Sequence, residues 1–176
     1  SVIGLYRNSA NLLYHRQITL LDIVVARQIL EFIATTTALF FMWLVLYLPG
    51  AVSMVDDPFY VLLGWVMMGL LGFGFGMIFA ALTELSHTFE RFILPIQYIA
   101  VPLSGCFFLV DWLPTWLQRI AVYNPLINPY EVLRHGYFGD VIVTHYKLDY
   151  FFAVTAVIIA IGFWSVRAVR HRVQVA

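Results

Sequence analysis

Long uncharged stretches alternate along this chain with short segments in which the charges gather. Four stretches lack Asp, Glu, Lys and Arg altogether: Phe32–Leu48, Tyr60–Thr83, Phe92–Val110 and Tyr150–Val166. A helix needs about 20 apolar residues to cross the ~30 Å hydrocarbon core of a bilayer, and each stretch comes close to that length. The first gains length from an earlier start. Thr19-Leu-Leu-Asp22 has the spacing of a capping box, with Thr19 as N-cap and Asp22 at N3. A helix from there to Leu48 would be ~43 Å long at ~1.5 Å per residue. Its first turns carry Asp22, Arg27, Gln28 and Glu31 and belong in the interface or the cytosol, where Arg27 and Glu31, four residues apart, are spaced to pair. A transmembrane barrel would need polar–apolar alternation over ~10-residue strands, and none of the four stretches alternates in that way. The pattern predicts an all-α membrane protein with four transmembrane helices.

Two further helices are expected in the segment before the last span. Leu113, Trp116, Leu117, Ile120 and Ala121 recur at the spacing of one helical face. After them, Asn128 can cap a second helix, with Pro129 at N1 and Glu131 at N3. Tyr130, Leu133, Tyr137 and Phe138 then share a face, and Gly139 suits a left-handed C-terminal position. Such a pair of short amphipathic helices serves either as a pore mouth or gate, or as an aromatic anchor lying in the interface. In the second span, Gly64, Gly69, Gly72, Gly74 and Gly76 favour close helix packing, ahead of a conduit-lining role. Pro95 and Pro102 should bend the third span.

Composition narrows the class. Of 176 residues, 62% are hydrophobic and only 11% charged, against roughly a quarter charged in a soluble domain. Ten Lys+Arg balance ten Asp+Glu, which leaves no basic patch for nucleic acid. The single cysteine, Cys106, excludes an intrachain disulfide and a CxxC pair. Four spans would put both ends on one side, together with Arg7, Arg16, Arg91, Arg167, Arg170 and Arg172, and with Arg27 at the edge. The other side receives Arg119, Arg134 and Lys147. Seven cations against three place both ends and the Thr83–Arg91 connection in the cytosol. The Pro49–Phe59 loop and the Asp111–Asp149 segment then fall outside. The opening Ser1–Leu21 has no signal-peptide pattern, and reads as the cytosolic end of a chain already under way.

No catalytic constellation emerges. His15, His87, His135, His145 and His171 are scattered, and HExxH, GxSxG and the GxxxxGK[ST] phosphate loop are absent. Glu84, His87 and Glu90 could face one metal from a helix, but no matching cluster supplies further ligands. A solvated interface loop or a docking point for a cytosolic partner accounts for them more simply. Spans without charged residues also argue against a proton- or sodium-coupled carrier. No catalytic, metal or cofactor-binding residue is therefore assigned.

Two motifs carry a family resemblance. Asn11-Leu-Leu-Tyr-His-Arg-Gln-Ile-Thr-Leu-Leu-Asp-Ile-Val-Val-Ala-Arg27 resembles the segment before the third span in ABC-2 permeases that export capsular polysaccharide and O-antigen. Tyr123-Asn-Pro-Leu, then Glu131-Val-Leu-Arg134, then Gly136-Tyr-Phe-Gly139 is similar to the segment before that family's last span. The resemblance implies a six-span permease of which residues 1–176 form a single transmembrane domain lacking its N-terminal part. Residues 1–21 would be the cytosolic coupling segment, with a coupling helix at about Ala10–Ile18 and apolar contacts from Leu12, Leu13 and Ile18. Residues 112–140 would hold the periplasmic gate helices. The partners implied are a second copy of the chain and two copies of a separate ATPase, which binds the ATP and Mg. The polysaccharide substrate, the lipid bilayer of the bacterial inner membrane, and export partners in the periplasm and outer membrane complete the list.

A sugar polymer is polar at its hydroxyls, yet each ring has an apolar C–H face that lies well on an aromatic ring. Conduit candidates near the outer mouth are therefore Trp112, Trp116, Tyr130, Tyr137 and Phe138, and deeper ones are Phe40, Trp43, Phe73 and Tyr98. Each serves equally as an interfacial or packing aromatic. Competing readings are an ABC-2 permease for a drug or lipid, a membrane enzyme acting on lipid-linked sugars with His135 or Asp140 as acid/base, and a purely structural subunit.

Overall fold

The computed structural model describes residues 20–85 and 87–173, and among these every regular element is helical. In chain order they are α1 (Leu20–Tyr47), α2 (Pro58–Leu85), α3 (His87–Leu103), α4 (Thr115–Ala121), α5 (Ile127–Phe138) and α6 (Leu148–Val173), with short 3-10 turns at Val110–Trp112 and Gly139–Val141. The capping residue expected for α1, Thr19, lies outside the described residues. The pairing expected on its first turns is present, with Arg27 Nε 3.1 Å from Glu31 Oε1.

Helix α2 is the central column because its sequence offers small residues on several sides. At its start, Asp57 Oδ1 accepts the Phe59 N–H at 2.9 Å and Pro58 takes the first helical position, an N-cap and N1 arrangement that needs no amide at Pro58. Midway, Gly74 meets α6: a Cβ there would come within 2.8 Å of Ile158 Cγ2, and one on Gly162 within 2.9 Å of Met77 Cβ. Backbones that approach this closely gain dispersion contacts, which replace the hydrophobic effect as the glue between helices in lipid. Two apolar clusters fix the antiparallel sense. Met67 and Leu71 pack with Phe151 near the start of α6 and with Val132 of α5. At the other end, Met77, Ala80 and Ala81 pack with Val166 and Val169 of α6 and with Val24 of α1. The first turns of α1 and the last turns of α6 therefore lie at the same end of the bundle.

The count of spans differs from expectation. Among the described residues three helices are long and apolar enough to cross a bilayer, α1, α2 and α6; the fourth predicted span, Phe92–Val110, is not among them. Its helix, α3, has 17 residues and ends at Leu103, about 26 Å at ~1.5 Å per residue. An uncharged run is not the same as a helical run. Pro102 removes a backbone donor, and Gly105 turns the chain at φ +75°, a conformation that side-chain-bearing residues rarely adopt. The seven residues after Leu103 that the sequence pattern counted as membrane helix are turn and extended chain instead.

The outer helices start differently from the expected capping box. Helix α5 begins at Ile127, so Asn128 and Pro129 lie inside its first turn. The turn is closed upstream, where Asn124 Oδ1 accepts the Leu126 N–H at 3.0 Å. Asn128 and Glu131, freed from capping, reach other segments. Gly139 does take a positive φ, +56°, and its N–H returns to His135 O.

Candidate functional site

Two places combine polar groups with restricted access: a lateral cleft between α1, α2 and α3, and the cap of short helices at the Pro58 end of the bundle. The cleft has a volume of about 870 Å³. Gln28, Glu31 and Thr35 reach it from α1 and Gln97 from α3, while Phe32, Phe73, Phe75 and Phe79 form apolar walls. Gly69, Gly72 and Gly76 line the α2 side. Each of these glycines does something different. Phe32 lies over Gly69, the Gln28 amide lies against Gly76, and nothing stands within 4 Å of a Cβ at Gly72. Gln28 Oε1 is buried without a hydrogen-bond partner among the described residues, so an acceptor is left over beside the cleft. Above it, Phe32 stacks on Trp65 at 6.1 Å, and Trp65 Nε1 donates to Thr36 Oγ1 at 2.8 Å, tying α1 to α2.

The cap is built on close backbone contact. A Cβ on Gly64 of α2 would come within 2.7 Å of Leu133 N and 2.8 Å of Pro129 O in α5, and one on Gly136 of α5 would press on Val61 N and come within 2.8 Å of Asp57 O. Asp57 N donates to Gly136 O at 2.8 Å across the same contact. Asn128 is fully buried and donates to Val122 O and Asn124 O, while its Oδ1 accepts the Lys147 N–H at 2.7 Å. Lys147 Nζ donates to the Tyr123 hydroxyl at 2.8 Å, which holds that phenol below its ordinary pKa. Burial pushes Tyr146 upward, so its hydroxyl stays protonated over the physiological range.

The expected site residues are dispersed. Leu12, Leu13 and Ile18 lie outside the described residues. Of the aromatic candidates, only Phe73 borders the cleft. Trp43 stacks on Tyr47 at 5.0 Å with Phe40 6.3 Å away, and Tyr98 points outward, 77% exposed. At the cap, Tyr137 contacts Phe138 at 4.8 Å and donates to Ser53 O, Tyr130 is half-buried, and Trp112 and Trp116 are exposed. Helix α4, which carries Trp116, has no buried residue. His135 sits edge-on to Tyr60 at 4.8 Å and near Thr144, whereas Asp140 is exposed in the following turn. The side chains of His87 and Glu90 lie outside those described, and among the described residues no three His, Cys, Asp or Glu gather for a metal.

Aromatic content does not point to the polar lining of the cleft, although a spacing signal exists. Gln28, Glu31 and Thr35 fall at i, i+3 and i+7 on α1, and Gly69, Gly72 and Gly76 repeat that spacing on α2. Each triplet marks one helical face.

Helices of this length, apolarity and close packing define a multi-pass α-helical membrane protein. Residues 6–138 match the ABC-2 type transporter family, and the chain belongs to it. Similar proteins include the capsule polysaccharide export inner-membrane protein BexB of Haemophilus influenzae, 32% identical over 94% of this chain and 62% of that protein. The corresponding protein CtrC of Neisseria meningitidis serogroup B is 32% identical over 91% of this chain and 60% of its own length. The polysialic acid transport protein KpsM of Escherichia coli is 22% identical over 91% of this chain and 62% of that protein. The chain thus spans less than two thirds of the length of these relatives.

Proposed function

We propose that this chain is the membrane-embedded permease part of an ATP-driven exporter that carries a capsular-type polysaccharide across the bacterial inner membrane. The observation that carries this reading is the similarity to proteins named for capsule polysaccharide export, which extends over 94% of the chain. The chain works as a transport subunit rather than an enzyme. ATP and Mg belong to a separate ATPase, two copies of which join two copies of this chain. Energy enters through the cytosolic coupling segment, residues 1–21, and leaves as movement of the spans.

Both ends of the chain lie in the cytosol in this reading, and the cap of α4 and α5, within residues 112–140, faces the periplasm as the gate. That topology requires α3 to make the fourth crossing despite its length. Its start adjoins the end of α2, while the turn after Leu103 is held by Arg134 at the opposite end of the bundle. Seventeen residues sit at the lower limit for a crossing, roughly 17, so α3 crosses where the bilayer is thin or where the turn after it completes the passage. The cleft suits a sugar chain in its chemistry: amide, carboxylate and hydroxyl oxygens meet sugar hydroxyls, and phenyl faces meet the C–H faces of the rings. Many weak contacts of that kind let a polymer slide.

Filling the cleft tests its role. Gly72→Trp places an indole in open space, so the protein should still fold and insert while polymer export falls to a small fraction of the wild-type level, measured as surface polysaccharide. Normal export from this variant would remove the cleft from the path. The decisive experiment for the function is the intact mass of the complex extracted in mild detergent from cells expressing its native neighbours. Two copies of the permease with two of a soluble ATPase are expected. A particle without an ATPase would require the exporter reading to be withdrawn.

A further inference from the structure

The turn that follows α3 carries carbonyls outside any helix, and they are answered from α5. Arg134 of α5 donates from Nη2 to Gly105 O at 2.7 Å and Cys106 O at 2.9 Å, and from Nη1 to Phe108 O at 2.8 Å. The same Nη1 lies 3.2 Å from Oε1 of Glu131, a carboxylate with no exposure to solvent. Glu131 in turn accepts the Val110 N–H on Oε1 at 3.4 Å and the His145 N–H on Oε2 at 3.0 Å. One buried ion pair therefore ties the chain after α3 and the approach to α6 onto α5. Other contacts share that end: Asn124 Nδ2 donates to Leu103 O, Ser104 is buried and Gly105 faces Ile127, while Ile93, in the first half of α3, is the helix's one buried hydrophobic residue among those described.

We propose that Arg134 is a positioning residue that clamps the turn following α3, fastening the far end of this short helix to the α2–α5 body. The physical need is specific to a bilayer. Carbonyls near the membrane that lack both water and a donor are costly, and a turn that breaks away from a helix presents several at once. A guanidinium supplies a planar fork of donors wide enough to serve three carbonyls and a carboxylate together. A lysine ammonium is a point donor and cannot span them, while an apolar side chain would satisfy none.

The rival account is that packing alone holds the turn, since a buried ion pair can often be replaced by apolar residues of similar volume without loss. Double electron–electron resonance distinguishes the two. Spin labels are placed at Phe107→Cys, in the clamped turn, and at Val141→Cys, beside the end of α5, in the full-length protein with its other cysteines replaced. Both positions are exposed. The distance distribution should be narrow with Arg134 present and should broaden in both Arg134→Lys and Arg134→Met, with no rescue by the lysine. A distribution that stays narrow in Arg134→Met would overturn the proposal, because packing would then suffice. One that is restored by Arg134→Lys would overturn it too, because charge alone would be enough. If a variant at position 134 fails to fold, Glu131→Gln reports on the same labels. It keeps the volume but removes the charge that aligns the guanidinium, so broadening supports the proposal and an unchanged distribution overturns it. The measurement needs no nucleotide, substrate or partner, and its outcome is independent of what the protein transports.

Discussion

Gly136→Ala should unseat the outer cap from the bundle and lower stability by about 3 kcal/mol, at the upper end of the cost of overpacking a tight contact. The added methyl would press on Val61 N and lie within 2.8 Å of Asp57 O and of Tyr60 C, all backbone atoms that cannot rotate aside. Gly64→Ala should act alike, since its methyl would meet Leu133 N at 2.7 Å and Pro129 O at 2.8 Å on the opposite side of the same contact. Gly72→Ala provides the contrast. Nothing stands within 4 Å of the new methyl, and replacing Gly by Ala inside a helix gains up to ~1 kcal/mol in propensity. Thermal unfolding of the purified protein in one detergent checks all three. The ranking expected is Gly72→Ala at or above wild type, with Gly64→Ala and Gly136→Ala well below it. Equal melting temperatures for the three variants would mean that α2 and α5 are not in backbone contact. The consequence for transport follows from the same geometry. Once α5 separates from α2, the Asp57 N–H loses Gly136 O and the far end of α3 loses its anchor, so export should fail together with folding.

Leu12→Asp combined with Leu13→Asp should abolish association with the ATPase while leaving membrane insertion intact. In the function proposed above, these leucines and Ile18 supply the apolar face of the coupling helix. Two carboxylates there would have to be buried against the partner without counter-charges, a penalty of several kcal/mol for each ion. That exceeds what a small interface can absorb. Co-purification of the ATPase with the detergent-solubilised variant is the measurement. Wild-type recovery of the ATPase would show that the coupling contact lies elsewhere, whereas loss of the permease from the membrane would point to an insertion defect instead.

Much of the architecture was legible in the sequence for a simple reason. Hydrocarbon excludes charge, so uncharged stretches of sufficient length announce the existence of α1, α2 and α6, and for α2 they fix both ends within two residues. The Arg27–Glu31 pair and the positive φ of Gly139 follow from local spacing and local sterics in the same way. The third span shows where that logic fails. Its uncharged run continues to Val110, but the helix stops at Leu103 because Pro102 and Gly105 act on the backbone and leave hydropathy untouched.

The cap shows a second limit. Local pattern read Asn128 and Glu131 as capping residues, since each lies at the right distance from the other. The fold instead starts α5 at Ile127 without a side-chain cap, closes the preceding turn through Asn124, and directs Asn128 and Glu131 across to Val122, Lys147, Val110 and His145. Those partners lie 6 to 21 residues away in the chain, beyond any helical repeat. Likewise, aromatic content could not say which rings share a cavity, since a ring facing lipid and a ring facing a cleft obey the same pattern. What the sequence alone determined is the set of helices, their order and their membrane character, because these depend on solvent and on neighbours within one or two turns. Which faces meet, where the cleft opens, and which buried charge holds the end of α3 were decided only by the tertiary structure, through contacts between residues that the chain itself keeps far apart.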